Sequence, residues 1–452
     1  MPFSIQIFLY LIGPDETHIK ILNNAIYNGK KVDLNVNIIY LEYYRGGTPA
    51  TSVIEFWKNG SIPWINSGEL SKNDYIKEPT TLISDRALKF SSAKLAPKHS
   101  VGIALTGATT GMVGFYEIET TTNQSIVSIL PNRKVDTLYI FHYLNNSRRK
   151  ILSFNIGSAQ PHINKQIVDK LEIDFPISRT EQLKIAEILS KLDRAIEQTK
   201  GLIAKQQRIK TGLMQDLLTH GIDEHGNIRS EETHQFKDSP LGRIPVDWVC
   251  SLLSHFVPSA EYGISSSIGE SGYPVLRMNN FFAGEAEISD LKYTDQKVPE
   301  RLWLRDGDVL FNRTNSWEHV GRTGIWRHQL EKVTFASYLV RLNPDPDKLC
   351  SELLNLWLNW APTQIAMRRF ATPGVQQVNI NPTNLRSIYA TFPSRLTEQV
   401  EIVKRISSIR NFTSSLVDRL TKLGSLKTAL MQDLLTGKVP VTPLLEKTEA
   451  SG

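Results

Sequence analysis

Two stretches of the chain carry apolar residues at alternating intervals of three and four positions. The first contains Ile185, Ile188, Leu192, Ala195, Leu202, Ile209 and Leu213, with Thr199 and Gln206 interrupting the pattern. The second contains Ile409, Phe412, Leu416, Leu423, Leu426 and Leu430, with Arg419 interrupting it. This spacing is typical of the a/d seam of a coiled coil, because it places apolar side chains along one stripe of each helix. It predicts two long helices that pair in antiparallel fashion.

Local signals bound both helices. Start signals stand at Pro176, Thr180, Pro393 and Thr397, and stop signals at Gly221 and Gly437. Each helix is then about 40 residues, on the order of 60 Å, long. The alternative is a core helix of an ordinary globular domain, but such helices average about 11–12 residues. Helices this long must pack against each other or against a partner protein.

The two helical segments are copies of one another. Residues 214–219 recur letter for letter as 431–436, an offset of 431 − 214 = 217. At that offset 17 of the 45 positions in 175–219 match 392–436, where chance gives roughly 3. Gly157, Gln160, Ile163 and Asn164 likewise fall on Gly374, Gln377, Ile380 and Asn381. A duplication explains this best.

Upstream, the copies share only short similarities, of Ile62–Ile65 with Tyr273–Leu276 and of Val113-Gly114 with Val320-Gly321. Two variable domains therefore precede the helices. The predicted fold class is α/β (α+β), since short β-rich runs such as 100–105 and 308–311 alternate with turns and one helix per domain is expected near 135–145 and 351–369. The predicted divisions are 1–174 (1–40 atypical), 175–222, 223–391 with its linker, 392–441 and a tail, 442–452.

Composition narrows the class of protein. Forty per cent hydrophobic residues in 452 allow real cores, while no apolar run approaches the ~18 residues of a membrane span. The apolar start lacks the basic region of a signal peptide. Two cysteines, Cys250 and Cys350, form no disulfide framework, which fits a reducing cytoplasm. A net charge of +6 permits nucleic-acid binding.

The loops of both variable domains carry polar groups of the kind that read base edges. The candidates are Arg45, Asn66, Thr106, Thr109 and Gln160 in the first domain, and Arg277, Asn279, Asn280, Arg313, Thr314, Asn315, Arg322 and Gln377 in the second. Arginine pairs with guanine, and asparagine or glutamine with adenine, in the major groove. Each could instead be a solvated or turn-forming residue. The run 313–316 is the strongest candidate, because it closely follows a predicted strand.

Motifs of enzymes that modify DNA are missing from the sequence. There is no Asn/Asp-Pro-Pro-aromatic tetrad for holding a flipped base, no phosphate-binding G-x-x-x-x-G-K-[S/T] loop and no H-E-x-x-H. His225 and His234 in the linker lack the paired spacing of a zinc site. We therefore expect no catalytic or metal-binding residues.

Together these segments resemble the specificity (S) subunits of type I restriction-modification systems over about 400 residues. The similar segments are RGGTP at 45–49, FWKNGSIPWI at 56–65, DSPLGRIP at 238–245 followed by Trp248, DGDVLFNRT at 306–314, and the two Thr-Glu-Gln helices ending in MQDLLT. Their order and their duplication make the resemblance specific. An Ile-Pro-x-x-Trp sequence opens the second domain at 244–248, but no equivalent precedes Arg45.

The resemblance implies two target-recognition domains, each reading one half of a split double-stranded DNA target, and a helical spacer that sets the gap. It implies as partners two methyltransferase subunits, which carry S-adenosylmethionine, and two motor-nuclease (restriction/translocase) subunits, with ATP and Mg²⁺ also on partners. The S subunit itself would bind no cofactor, no metal and no membrane.

Two other functions remain open at this point. One is a stand-alone DNA-binding regulator or architectural protein, which would need tight binding by itself and a stronger basic patch. The other is the recognition part of a fused enzyme, against which the missing motifs and the chain length argue.

Overall fold

A computed structural model of the chain describes residues 18–21, 26–27, 30–31, 39–133, 135–153, 178–265, 269–374 and 377–449. The chain forms two compact units. Unit 1 comprises residues 1–200 and 418–452, and unit 2 comprises residues 201–417. Each unit therefore contains half of each long helix.

Unit 1 contains a six-stranded sheet in the order β1-β4-β12-β9-β10-β6, a four-stranded sheet in the order β7-β5-β11-β8, and the pair β2-β3. The strands are β1 (His18–Ile21), β2 (Ile26–Tyr27), β3 (Lys30–Lys31), β4 (Ile39–Arg45), β5 (Ile62–Ile65), β6 (Tyr75–Ile76), β7 (Thr81–Ile83), β8 (Leu95–Ala96), β9 (Val101–Ala104), β10 (Val113–Tyr116), β11 (Thr120–Thr122) and β12 (Ile126–Ile129). The helices are α1 (Glu69–Lys72), α2 (Asp85–Phe90) and α3 (Thr137–Ser153), with the first half of α4 (Arg179–Thr219). The helix predicted near 135–145 is α3.

Unit 2 begins, after the second half of α4, with the linker hairpin β13 (Phe236–Ser239) and β14 (Gly242–Pro245). Its six-stranded sheet has the order β16-β25-β21-β23-β19-β18, and its smaller sheets are β20-β17-β24, β22-β27-β26 and β15-β28. The strands are β15 (Trp248–Leu252), β16 (Ser259–Tyr262), β17 (Tyr273–Leu276), β18 (Phe281–Phe282), β19 (Glu285–Ala286), β20 (Lys292–Thr294), β21 (Val309–Asn312), β22 (Thr314–Asn315), β23 (Thr323–Ile325), β24 (Thr334–Phe335), β25 (Leu339–Asn343), β26 (Ala371–Pro373), β27 (Val378–Ile380) and β28 (Tyr389–Pro393).

The helices of unit 2 are short, apart from the spacer. They are α5 (Leu253–Phe256), α6 (Ser351–Leu358), α7 (Ala361–Arg368) and α8 (Pro382–Arg386), followed by α9 (Leu396–Leu435), whose second half returns to unit 1. The last described helix, α10 (Thr442–Glu449), belongs to unit 1. The helix predicted near 351–369 is thus two helices, because Pro362 begins a new one.

The two units share one plan. The strand order β4-β12-β9-β10-β6 of unit 1 recurs as β16-β25-β21-β23-β19 in unit 2, and in both the last pair is parallel. The order β7-β5-β11 recurs as β20-β17-β24. The predicted α/β class and internal repeat are therefore confirmed. One alignment was wrong: the ladder register matches Gly114 to Gly324, not to Gly321.

Within each unit the two spacer helices run antiparallel. In unit 1, Asp193 pairs with Lys427, and Glu181 near the start of α4 accepts from Thr442 beyond the end of α9. In unit 2, Glu398 near the start of α9 accepts from the backbone N–H of Ile222 at 3.1 Å, just beyond the end of α4.

The glutamines of the repeated Thr-Glu-Gln motif connect each spacer helix to the adjoining domain by hydrogen bonds. Gln182 Oε1 accepts from the backbone N–H of Asp136 at 2.9 Å, directly before α3. Gln399 Oε1 accepts from the N–H of Cys350 at 3.0 Å, directly before α6. Both glutamines are buried. The motif thus satisfies an N–H at the start of a domain helix, a group without an intrahelical partner.

The predicted seam is only partly right. Ile185 and Leu416 are buried, but four residues assigned to the seam are 42–49% exposed: Leu202, Ile209, Phe412 and Leu426. Near the middle of the helices the half-buried seam positions belong instead to Ile203, Gln206 and Lys210. Polar residues occupy the seam there, and the apolar side chains beside them face outward.

Candidate nucleic-acid interface

In unit 1, several strand ends meet at one turn, residues 123–125. The N–H of Asn123 donates to the carbonyl of Ile65 at 3.0 Å, so that Asn66, at the end of β5, lies beside the turn. Arg45, at the end of β4, donates from Nε to the carbonyl of Gln124 at 2.7 Å.

The end of β9 reaches the same turn. The N–H of Leu105 donates to the carbonyl of Ser125 at 2.8 Å, and Thr106 Oγ1 lies 3.0 Å from Ser125 Oγ. Thr109 follows in the adjoining short 3₁₀ helix and contacts the Thr106 carbonyl at 3.5 Å. We name Arg45, Asn66, Thr106 and Thr109 with turn 123–125 edge 1.

In unit 2 the matching turn is residues 336–338. The N–H of Ala336 donates to the carbonyl of Leu276 at 2.9 Å, which places Arg277 beside the turn. The N–H of Arg313 donates to the carbonyl of Tyr338 at 3.0 Å. These bonds repeat those of Asn123–Ile65 and Leu105–Ser125 one for one.

The end of β16 completes the second site. The N–H of Gly263 donates to the Leu339 carbonyl at 3.3 Å, as the N–H of Gly46 does to Ile126 at 3.0 Å in unit 1. Tyr262 therefore stands where unit 1 has Arg45. Edge 2 consists of Tyr262, turn 336–338 and the candidates at 277–280, 313–315, 322 and 377.

Arg313 is a half-buried arginine of edge 2 whose guanidinium lies beside Tyr262. Its guanidinium carbon lies 5.1 Å from the centre of the Tyr262 ring. Its Nε is covered and has no hydrogen-bond partner in the described part of the chain. The backbone is fixed on both sides, since its carbonyl also accepts from the N–H of Ile380 at 2.8 Å.

Arg277 and the two asparagines after it form a closed loop around Asp290. Arg277 Nη2 is 2.9 Å from Asp290 Oδ2, and Asn279 Nδ2 donates to the same oxygen at 3.2 Å. Asn280 is buried, donates to the Asp290 carbonyl at 3.0 Å and accepts from the Arg277 N–H at 2.8 Å. In this structure Asn280 holds the loop together, whereas Asn279 is exposed at its surface.

Three short strands carry the rest of edge 2. Thr314 pairs with Asn379 across β22 and β27, and their side chains meet with Oγ1 to Oδ1 at 3.0 Å. Asn315 accepts its neighbour's N–H and Gln377 closes the β26–β27 hairpin through its carbonyl. Arg322 is exposed beside β23. Gln160 lies outside the described residues.

In edge 1 the polar side chains are mostly engaged locally. Asn66 Oδ1 accepts from the N–H of Gly68 at 2.8 Å, which leaves its amide nitrogen as the group for a ligand. Thr106 and Thr109 bond as described above. Arg45 is exposed, with Nη groups beyond the Nε that Gln124 holds.

Sequence reasoning missed three residues of edge 2. Tyr262 and Tyr338 are each 47% exposed beside Arg313. Asn312 is fully buried, donates to the Met278 carbonyl at 2.9 Å and has an unpartnered Oδ1. The repeat could have indicated Tyr262, since the match of Gly46 to Gly263 sets it opposite Arg45.

A buried ionisable cluster of unit 1 joins α3 to the spacer. His142 Nε2 lies 2.9 Å from Ser190 Oγ, and Tyr75 donates to Asp193 at 2.9 Å, which also pairs with Lys427. Burial lowers the pKa of His142 to about 4, against the opposing effect of Asp193. The imidazole is therefore neutral at pH 7, as a core residue should be.

No group of three or more His, Cys, Asp or Glu suited to a metal ion occurs among the residues described. His234 lies 3.7 Å from Asp223 in the linker, but this pair belongs to the hydrogen-bonded turn at 223–227. None of the helices in the described ranges is long and apolar enough to cross a membrane.

Fold and site together define a duplicated α/β protein, with a loop-bearing edge on each of two units and an antiparallel helix pair within each. Comparison with known proteins shows which members of this class the chain resembles. Residues 41–206 match the family described as type I restriction modification DNA specificity domain.

Two relatives and one structure illustrate the similarity. The type I restriction enzyme MjaVIII specificity subunit of Methanocaldococcus jannaschii is 24% identical over 414 residues, covering 90% of this chain and 92% of its own. The EcoR124I/EcoR124II specificity subunit of Escherichia coli is 30% identical over 157 residues, 34% of this chain and 38% of its own. The type I S subunit structure from M. genitalium covers 87% of this chain and 93% of its own, with a TM-score of 0.55 and 14% identity.

The chain is similar to the specificity subunits of type I restriction-modification systems over most of its length, and residues 41–206 match their DNA specificity domain. The resemblance drawn from the sequence is thereby confirmed.

Proposed function

We propose that each unit reads one half of a bipartite double-stranded DNA target, and that the helical spacer sets the unread gap. The similarity to type I specificity subunits supports a role in DNA sequence specificity. The observation that carries the bipartite form is the duplication of the edge itself: two turns with the same backbone bonds, each collecting the ends of matching strands.

The chemistry of the edges suits base edges in a groove. Edge 1 offers an amide, hydroxyls and an arginine, and edge 2 offers arginines, amides and exposed tyrosines. Such groups read donors and acceptors in the major groove. Residue by residue, the contacts to DNA remain predictions.

The spacer acts as a ruler in this proposal. Two recognition domains on one chain gain from effective concentration only where the span between them matches the spacing of the half-sites. Polar Gln206 and Lys210 lie in the helix seam of unit 2. A polar seam residue of this kind specifies register.

The outer side of the helix pair in unit 2 suits partner subunits. Leu202 and Ile209, seven residues apart on α4, are each 42% exposed, and Phe412 on α9 is 49% exposed. Exposed apolar residues that line up along a helix are typical of protein interfaces. We propose that methyltransferase subunits dock on this stripe, and that motor-nuclease subunits join that complex, two of each.

The proposed role is non-catalytic and cytoplasmic. Methyl transfer and cleavage would lie with the partners, which would also hold S-adenosylmethionine, ATP and Mg²⁺. The chain's own residues would select the DNA. A stand-alone regulator is the alternative, for which no observation speaks.

The test is methylome sequencing of a methylation-free host that expresses this chain with its neighbouring methyltransferase. A split motif with a fixed gap, absent when either gene is omitted, is the expected result. Methylation of an unsplit motif would contradict the bipartite reading. High-affinity, sequence-specific binding by the chain alone, with no methylation and no complex, would favour the regulator.

A further inference from the structure

We infer that Arg313 reads a guanine in the half-site of unit 2, with Tyr262 as its positioning residue. This rests on the bipartite function proposed above. It adds the base, the side chain that reads it and the side chain that holds the reader in place.

The first argument is the fixed position of Arg313. Both its N–H and its carbonyl are bonded, to Tyr338 and to Ile380, so the Cα cannot move without breaking two ladders. The guanidinium lies over the Tyr262 ring, 5.1 Å from its centre. A stacked guanidinium keeps its charge and its donors while losing little freedom on binding.

The second argument is the state of its donors. The covered Nε has no acceptor among the residues described. The two Nη groups make no hydrogen bond to a described protein acceptor. Neither of them is a buried group without a partner, so both reach solvent. An end-on pair of Nη donors fits the O6 and N7 of guanine, the commonest specific contact of arginine in the major groove.

The third argument is that the neighbouring arginines either pair with carboxylates or have no side chain that holds them in place. Arg277 is held by Asp290 at 2.9 Å. Arg341 is buried and paired with Glu261 and Asp308. Arg322 is exposed, but no described side chain stacks on it or bonds it. Within the described part of edge 2, Arg313 alone combines a fixed position with open donors.

Unit 1 offers a built-in contrast. The ladder register places Leu105 at the position of Arg313, and Arg45 at that of Tyr262. We therefore expect the two half-sites to differ at the base that faces Arg313 in unit 2 and Leu105 in unit 1.

The first experiment compares methylomes of the full methyltransferase complex carrying wild type, Arg313→Lys, Arg313→Ala, Tyr262→Phe or Tyr262→Ala. Arg243→Ala, an exposed linker variant, serves as the control. Arg45→Ala identifies the other half of the motif. We expect Arg313→Lys and Arg313→Ala to relax one guanine position about five- to hundredfold, in the half that Arg45→Ala leaves intact.

Tyr262 separates positioning from general structure. Tyr262→Phe keeps the ring and should keep the motif, whereas Tyr262→Ala should relax the same guanine position as the Arg313 variants. If Tyr262→Ala instead lowers methylation of every site equally, the positioning role is refuted.

A second experiment does not depend on any variant folding. The wild-type complex is titrated with duplexes in which single guanines of the motif are replaced by 7-deazaguanine, which lacks the N7 acceptor. We expect one position in the unit 2 half to weaken binding about five- to hundredfold.

The outcomes are distinguishable. Unchanged binding at every 7-deazaguanine position, or relaxation at an adenine instead, overturns the guanine assignment while leaving the bipartite motif standing. A wild-type methylome without any split motif removes the proposed function itself.

Discussion

Edge 1 and edge 2 share the same backbone hydrogen bonds and differ in their side chains. Arg45 at the end of β4 is replaced by Tyr262 at the end of β16, and Leu105 after β9 is replaced by Arg313 after β21. The cation has thus moved to a different strand, while the bonds to the turns remain. The comparison teaches that the strand ends fix the positions of these residues, whereas the side chains at those positions differ between the two units.

A similar exchange occurs where each domain meets the spacer. In unit 1, Tyr75 and Lys427 surround Asp193. In unit 2 the repeat offset puts Arg410 in the place of Asp193, and it pairs with Glu285 at 2.5 Å. The sign of the charge on the helix is reversed, and each domain supplies the matching partner.

The largest effect should come from breaking the relation between the two copies. Insertion of four residues after Gly201 adds about 6 Å of helix and turns it about 40° past a full turn. We expect methylome sequencing to show a changed gap or no activity. The control is four residues inserted between Pro240 and Leu241, in the exposed linker hairpin; unchanged spacing in the α4 variant would contradict the ruler.

The next prediction contrasts the two Thr-Glu-Gln glutamates. Glu398 is buried, bonded to Arg229 Nη1 at 2.6 Å and to Trp248 Nε1 at 3.2 Å. Glu398→Ala leaves Arg229 buried without its main partner, and should cost about 3–5 kcal/mol. Glu181, whose side chain meets Thr442 at an exposed site, should cost less than about 1 kcal/mol when changed to Ala. Urea unfolding with hydrogen exchange in each unit measures both, and equal losses would refute the contrast.

The third prediction concerns pH and unit 1. His142 has a pKa of about 4 when folded and about 6.5 when unfolded. Its contribution to stability is complete above the unfolded pKa and declines as pH falls toward the folded value, by roughly 2 kcal/mol between pH 6.5 and 5. Hydrogen exchange of α3 at these pH values should show this loss.

The matched control is His142→Gln, which removes the titrating group. Its α3 should lose markedly less protection over the same interval. Helices α6 and α7, in the corresponding part of unit 2, contain no histidine and serve as an internal reference. Equal pH dependence in His142→Gln would show that other groups cause the loss.

The most localised effect should come from converting edge 1 into edge 2. The double variant Arg45→Tyr, Leu105→Arg is expected to alter one base position of the first half-site, with about 1–3 kcal/mol of discrimination. The methylome of this variant should show the same gap and the same second half-site as that of wild type. A first half-site identical to that of wild type would mean that these strand ends do not face the DNA.

The sequence predicted the strongly periodic parts of the molecule. The expected helices at 175–222 and 392–441 correspond to Arg179–Thr219 and Leu396–Leu435, because repeated caps and apolar spacing determine them locally. The exact seam could not be predicted: Leu202 and Ile203 are adjacent and both apolar. Packing against the partner helix decides which one turns inward.

The sites were harder for a similar reason. The sequence identified polar residues after strands as candidates. It did not identify the residues that these side chains contact. Asp290 holds Arg277 from 13 residues away and Asn280 serves that loop, while Tyr262 meets Arg313 across the sheet. Such pairings depend on strand order, which no local pattern encodes.

Unit 1 is discontinuous, and this affects how the protein is made. Unit 2 is a single segment, whereas the core of unit 1 joins Leu189 to Leu434 and Leu435 near the end of the chain. At 5–20 residues per second, the ribosome needs roughly 10–50 seconds between these residues. The core of unit 1 therefore cannot be completed until α9 has been synthesised. A frameshift or stop codon shortly before the codons for Leu434 and Leu435 would damage the unit whose sheets are translated first.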